Sequence, residues 1–258
     1  IRDRGSAAFY SGALADEIVQ TLTQAPRWPG DMTLADLAAY EAKERPPLCI
    51  TYRKLKVCGM GPPSSGGIAV AESLALLEPL DLGIHAFNRQ GTHLMIEAMK
   101  LAYADRDRYV ADPDFVPVPL GLLEPAYLTE RRRMIGTERA SGRQSAGALP
   151  AVKSEAGEDE TNERAGTSHL SVVDDAGNAV ALTTTIEGAF GSGLMAGGFL
   201  LNNEMTDFSF RPRDPQGRPI ANRIEGGKRP RSSMAPTIIL DEKDRVRAVL
   251  GSVGGNRI

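Results

Sequence analysis

The sequence has little of what most metal, nucleophile and nucleic-acid chemistries require: two cysteines, three histidines and one tryptophan in 258 residues. A zinc site takes about four ligands. His85, His93 and His169 stand at no ligand spacing with one another or with the cysteines. No metal or other cofactor is expected. The same scarcity argues against a Ser-His-Asp triad, and no G-x-S-x-G elbow is present. A G-x-x-x-x-G-K-[ST] loop is absent. "GMGPPS" fails the dinucleotide fingerprint because Ser64 stands where the third glycine belongs. The basic runs "RRR" (131–133) and "GKRPRSS" (227–233) are short and isolated in a chain of net charge -3. Nucleic acid is therefore excluded as a partner. No apolar run approaches the ~18 residues of a membrane span.

What is present is enough apolar residue, 41% of the chain, to bury a substantial core. Cys49 and Cys58 flank "ITYRKLKV" and would face each other across a hairpin turning at Arg53-Lys54. A disulfide is geometrically conceivable; the plainer expectation is two small buried thiols. The chain opens on Ile1 without a leader and closes on "GSVGGNRI", so it is expected to be a piece of a longer protein.

Residues 1–136 read as mainly helical. Leu14, Ile18 and Leu22 lie on one helical face, and Thr33-x-x-Asp36 forms a capping box. Helices are expected through "IAVAESLALLEPL", "THLMIEAMKLAYADRDRYV" and "EPAYLTERRRMI". The second carries an apolar stripe of Leu94, Met95, Ala98, Leu101 and Ala102. Residues 137–166 contain no aromatic residue and no isoleucine. Such a stretch cannot offset its ordering entropy by burial, and it is expected to be a flexible or surface-hugging segment.

From Thr167 the pattern becomes β. "TSHLSVVD" and "NAVALTTT" alternate around a three-residue loop, Asp175-Ala176-Gly177, with Gly177 supplying the left-handed conformation. Closure at Asp174 and Asn178 sets Leu170 opposite Leu182 and Thr167 opposite Thr185. "PTIIL" and "RVRAVLGSV" make a further strand pair across "DEKD". A threonine opening an ordered β segment, after Gly166, invites a second reading beside that of an ordinary strand. Cleavage of the Gly166–Thr167 bond would leave a hydroxyl and a free α-amine on one residue. That amine, with an ordinary pKa of about 7.7 to 8.0, suits a general base.

"TLADLAAYEAKERPPL", "GPPSSGG", "AMKLAYADRDRYVADPDFVPVP", "GTSHLSVVDDAGNAVALTTT", "FGSG", "LLNNEMTDFS", "KRPRSSMAPTI" and "GSVGGNRI" occur in an order and spacing that resemble the gamma-glutamyltransferase (gamma-glutamyltranspeptidase) family of the N-terminal nucleophile hydrolases. The resemblance implies an α+β fold, an αββα sandwich of two antiparallel sheets between helical layers, here truncated at both ends. It also implies a precursor that cleaves itself at Gly166-Thr167 into a large subunit (1–136, with 137–166 as its tail) and a small one (167–258), paired as a heterodimer. By position, Thr167 would be the nucleophile and Thr185 its support. Gly254 and Gly255 would form the oxyanion hole. Asp207 would bind the donor's α-ammonium, with Glu204 and Glu187 beside it, and Ser232 and Ser233 its α-carboxylate, next to Arg229 and Arg231. "GPPSSGG" is expected to be structural.

The implied donors are gamma-glutamyl compounds such as glutathione; the acceptor is water, an amino acid or a peptide. The implied location is periplasmic or secreted. Three departures qualify the match. Ser168 replaces a threonine, and Glu187 and Glu204 stand where the typical transpeptidases have Asn and Gln. The lid region 211–227 lacks an aromatic, which favours hydrolysis over transfer. A related cephalosporin or glutaryl acylase, and an unprocessed non-catalytic binding protein, stay open as alternatives. The carboxylate-binding arginine of the family is expected before Ile1.

Overall fold

The computed structural model describes residues 2–3, 5–85, 87–149, 156–161 and 166–254. Helices α1 (Ala7–Tyr10), α2 (Ala13–Thr23) and α3 (Leu34–Ala38) come first. The Thr33–Asp36 capping box is present in both directions. Strands β1 (Leu48–Tyr52) and β2 (Leu55–Gly59) follow, then α4 (Gly66–Leu77), α5 (Arg89–Tyr109) and α6 (Pro125–Arg132). The later part is strand-rich: β3 (Thr167–Val173), β4 (Ala179–Thr185), β5 (Met195–Ala196), β6 (Phe199–Leu200), β7 (Thr237–Leu240) and β8 (Val246–Leu250).

Four strands form one antiparallel sheet in the order β1-β2-β7-β8. It therefore joins strands from both sides of the 137–166 stretch. Helix α4, apolar nearly all round and buried along most of its length, packs on β1 and β2 and against α5. Leu76, Leu77, Leu94, Ala98, Leu101 and Leu128 close the helical core. Met95 departs from the expected stripe and is 39% exposed, because it falls on the edge of the buried face of α5. The β3–β4 hairpin packs against β7 and β8. Its register pairs Thr167 with Thr185 and Leu170 with Leu182, as the turn predicts. Leu170, Val172, Val180 and Leu182 on its outer face are exposed.

The expectation of two buried thiols is corrected. Cys49 and Cys58 form a disulfide with a Cα–Cα distance of 4.1 Å. They are direct partners in the β1–β2 register, and Cys49 is exposed and Cys58 only partly buried. A packing role for apolar thiols is thus unavailable at this edge of the sheet.

The described part of the polar stretch runs along α5. Lys100 donates to the Ser141 carbonyl at 2.8 Å, Gly147 N–H to Asp105 at 2.7 Å, and the Tyr109 hydroxyl to the Gly147 carbonyl at 2.6 Å. Asp105 is itself paired with Arg131 at 3.0 Å, both buried. Burial, then the nearby charge of Asp105, holds the Glu72 carboxyl well above the ordinary carboxylate range. Among the described residues no helix is long and apolar enough to cross a membrane.

Candidate active site

The open end of the β3–β4 hairpin carries the first group of predicted residues. The Thr167 and Thr185 hydroxyl oxygens lie 3.4 Å apart. Thr185 Oγ1 accepts from the Glu187 N–H at 2.8 Å and donates to the Gly166 carbonyl oxygen. One hydroxyl thus touches both sides of the Gly166–Thr167 junction. Gly166 is required there by space, since a Cβ would overlap the Glu187 carbonyl. Gly166 N–H makes a long 3.5 Å contact with the Gly254 carbonyl, which brings the predicted oxyanion glycine to the same bond. Gly255 lies outside the described residues.

Glu187 is buried and sits in the left-handed region, with φ 68°. Its carboxylate accepts from the side-chain amide of Asn203. That amide also donates to Thr206 at 3.1 Å, while its oxygen accepts from Gly188 N–H at 2.8 Å. Asn203 so ties the nucleophile end of the hairpin to the single helical turn Glu204–Asp207. Both Glu204 and Asp207 fall on this turn. Asp207 is buried rather than a solvated turn aspartate.

A second amide continues the chain of contacts. Asn222, fully buried, donates to the Asp207 carbonyl at 2.7 Å and accepts from the Arg231 N–H at 2.9 Å. Ser232 and Ser233 follow directly. Their backbone is clamped by the "GPPSSGG" loop: Ser65 N–H and its hydroxyl both donate to the Ser232 carbonyl at 2.7 Å, and Ser232 N–H reaches Pro63 at 3.2 Å. The structural role expected of that loop is what it plays.

The neighbouring arginines do not behave as the anion-facing pair expected. Arg231 is buried and paired with Asp159 at 3.1 Å, and also donates to the carbonyls of Arg106 and Asp107. Arg229 stacks over Tyr40 and donates to the Glu41 carbonyl. The lid-region loop folds on itself around Asp214, which accepts from Gln216, from Arg218 N–H and from the Arg218 side chain at 2.7 Å.

Asn203, Asn222 and Arg106 were not singled out by sequence reasoning. Both asparagines lie in motif-bearing loops, but only an amide's paired donor and acceptor hints at such junctions. Among the described residues no group of three or more His, Cys, Asp or Glu side chains is placed to hold a metal ion.

Known proteins resemble this chain over its whole length. The model of the family described as Gamma-glutamyltranspeptidase matches residues 1–258. The glutathione hydrolase proenzyme of Escherichia coli (strain K12) is 40% identical over 266 residues, covering 100% of this chain and 44% of that protein. The Acylase ACY 1 proenzyme of Pseudomonas sp. (strain SE83) is 36% identical, over 100% of this chain and 43% of its own length. Among solved structures, a cephalosporin acylase from Bacillus halodurans superposes with a TM-score of 0.75 at 27% identity, covering 95% of this chain and 40% of that one. The chain spans less than half the length of these relatives. With its α+β architecture of antiparallel sheets and helices, it belongs to the gamma-glutamyltranspeptidase family.

Proposed function

We propose that the protein is a self-processing gamma-glutamyl hydrolase and transferase whose nucleophile is Thr167. The observation that carries this is the position of Thr185 Oγ1, between the Gly166 carbonyl and the Thr167 hydroxyl. In the first step Thr167 Oγ1 attacks the Gly166 carbonyl carbon. The developing oxyanion is held by the Thr185 hydroxyl, which the Glu187 N–H orients. Collapse breaks the Gly166–Thr167 C–N bond, and the threonine's hydroxyl proton ends on the departing nitrogen. Water then hydrolyses the ester, leaving a carboxylate on Gly166 and a free hydroxyl and α-amine on Thr167. Residues up to 166 and from 167 become two paired subunits.

In turnover the amine takes the hydroxyl proton as Thr167 attacks the gamma-carbonyl of a donor such as glutathione. The family resemblance assigns the oxyanion to the N–H groups of Gly254 and Gly255. Asp207, with Glu204 and Glu187 near it, receives the α-ammonium, and Ser232 and Ser233 the α-carboxylate. The gamma-glutamyl-threonine ester passes to water or to an amino acid or peptide. The absence of an aromatic in the 211–227 loop supports hydrolysis as the dominant outcome. The Cys49–Cys58 bridge supports an oxidising location, periplasmic or secreted.

A cephalosporin- or glutaryl-acylase activity is the second reading, favoured by the acidic Glu187 and Glu204 and by the acylase relatives. Two measurements decide. The purified full-length protein should run as two chains, the smaller starting at Thr167, and should cleave a gamma-glutamyl anilide faster than a glutaryl anilide. Thr167→Ala should stay as one chain with no turnover. A processed, active Thr167→Ala protein would refute the proposal.

A further inference from the structure

Asn222 is fully buried between the two groups of residues assigned above to the two ends of the donor. Its Nδ2 donates to the Asp207 carbonyl at 2.7 Å, and its Oδ1 accepts from the Arg231 N–H at 2.9 Å. A carbonyl oxygen can only accept and a backbone N–H can only donate, so these partners fix which way the side-chain amide points. The Asn222 carbonyl also accepts from the Ser209 N–H at 2.9 Å. One residue thus holds the backbone at 207 and 209 on one side and, on the other, at 231, directly before Ser232 and Ser233.

Each side has its own anchor elsewhere in the fold. The Glu204–Asp207 turn is tied to the β3–β4 hairpin by the Asn203 amide, through Glu187, Gly188 and Thr206. Ser232 is tied to the loop before α4, its N–H reaching Pro63 at 3.2 Å and its carbonyl accepting from Ser65 at 2.7 Å. Ser233 is tied to α5, where Arg106 donates to its hydroxyl oxygen at 2.6 Å. Asn222 is a cross-tie between these separately anchored ends.

We infer that Asn222 is a positioning residue that sets the distance between the ammonium end and the carboxylate end of the donor site; this rests on the reading of Asp207, Ser232 and Ser233 given above. The amide acts on main-chain atoms, so the side chains of Asp207 and Ser233 keep whatever partners they have. Away from water, loss of either bond leaves a buried carbonyl or N–H without its partner, and the two segments then shift against each other. A ligand that touches one end needs only that end in place. A ligand that spans both needs their separation as well, and a separation that wanders must be ordered on binding.

The test compares purified full-length wild type, Asn222→Leu and Asn222→Asp by competitive inhibition of anilide hydrolysis. The reporter is the gamma-glutamyl anilide or, where that is the poorer substrate, the glutaryl anilide. Three inhibitors are used: glutamate carries both the α-ammonium and the α-carboxylate, glutarate lacks the ammonium, and 4-aminobutyrate lacks the α-carboxylate. Asn222→Leu removes both bonds at similar side-chain volume. The Lys228 ammonium, which donates to the Ala221 carbonyl at 2.7 Å, still holds the local backbone. The inhibition constant of glutamate should rise about tenfold, while those of glutarate and 4-aminobutyrate move by less than about twofold. Asn222→Asp keeps an acceptor for Arg231, but its ionised carboxylate has no donor for Asp207. It should show the same pattern, and it carries the test where the leucine variant does not mature.

An equal rise for all three inhibitors, or a loss confined to kcat, would overturn the Asn222 role while leaving the proposed function intact. Wild type that binds glutamate no more tightly than glutarate and 4-aminobutyrate would overturn the assignment of the two ends instead.

Discussion

Two hairpins in this protein each bring a facing pair of side chains together, and the chemistry of the two pairs could hardly differ more. In β1–β2 the pair is Cys49 and Cys58, joined covalently. In β3–β4 it is Thr167 and Thr185, whose hydroxyl groups merely touch. The first hairpin is fastened further, since β2 is an inner strand of the four-stranded sheet. The second has no additional strand among the described residues. Register supplies proximity in both cases. What would make the threonine pair a reactive junction, on the function proposed above, is its flank: a carbonyl from Gly166 that the Thr185 hydroxyl can reach, and an N–H from Glu187 that aims that hydroxyl.

The largest effect should come from breaking that flank. Thr185→Val keeps the shape of the side chain and removes the hydroxyl. Self-cleavage should slow by about 10²- to 10³-fold, the usual cost of one oxyanion donor. A gel time course of the freshly purified precursor measures it. Thr185→Ser should restore most of the rate. Full-speed maturation of the valine variant would show that proximity alone suffices, and the contrast between the hairpins would lose its basis.

Next in size is the covalent pair. Replacing Cys49 and Cys58 together by serine opens a short loop, with a sequence separation of 9. Loop-closure entropy puts the cost at about 2–3 kcal/mol, a fall in Tm of roughly 5–10 °C for a protein of this size. The maturation rate at 25 °C should stay as it was. A variant that lost stability and self-cleavage in proportion would mean the two hairpins act as one unit.

How much of this could be read beforehand follows the distance over which each contact acts. The Thr167–Thr185 pairing rests on five residues of turn chemistry, from Asp174 to Asn178, and was legible. So was the Thr33–Asp36 cap, three residues apart. The disulfide was half legible, because register put the two sulfurs together. The preference for buried thiols failed because burial depends on which strands cover the hairpin. Arg106 and Asn222 were invisible. Arg106 meets Ser233 across 127 positions, and Arg231 meets Asp159 across 72. Neither contact leaves a periodic trace in the chain. Asp207, Ser232 and Ser233 were found through family resemblance; their spacing alone says nothing of the amide that links them.

The smallest effects concern the two turns, and here the hairpins should respond with opposite signs. Gly177 has φ 85°, the left-handed region that a side chain enters only with strain. Gly177→Ala should therefore destabilise by about 1–2 kcal/mol. In β1–β2 the turn residues Arg53 and Lys54 already sit at φ 46° and 71° without being glycine. Arg53 is held there by Glu78, whose carboxylate accepts from the Arg53 N–H at 3.1 Å, and by its own bond to the Leu80 carbonyl. Lys54 is exposed. Lys54→Gly relieves the strain at that position but adds freedom to the unfolded chain, so a gain of only about 0.5 kcal/mol is expected. Denaturant midpoints of the two variants, measured with the disulfide intact, decide the matter. A loss in both would mean that the Lys54 turn is set by contacts rather than tolerated, and the disulfide would then be reinforcing a well-formed hairpin instead of compensating for a strained one.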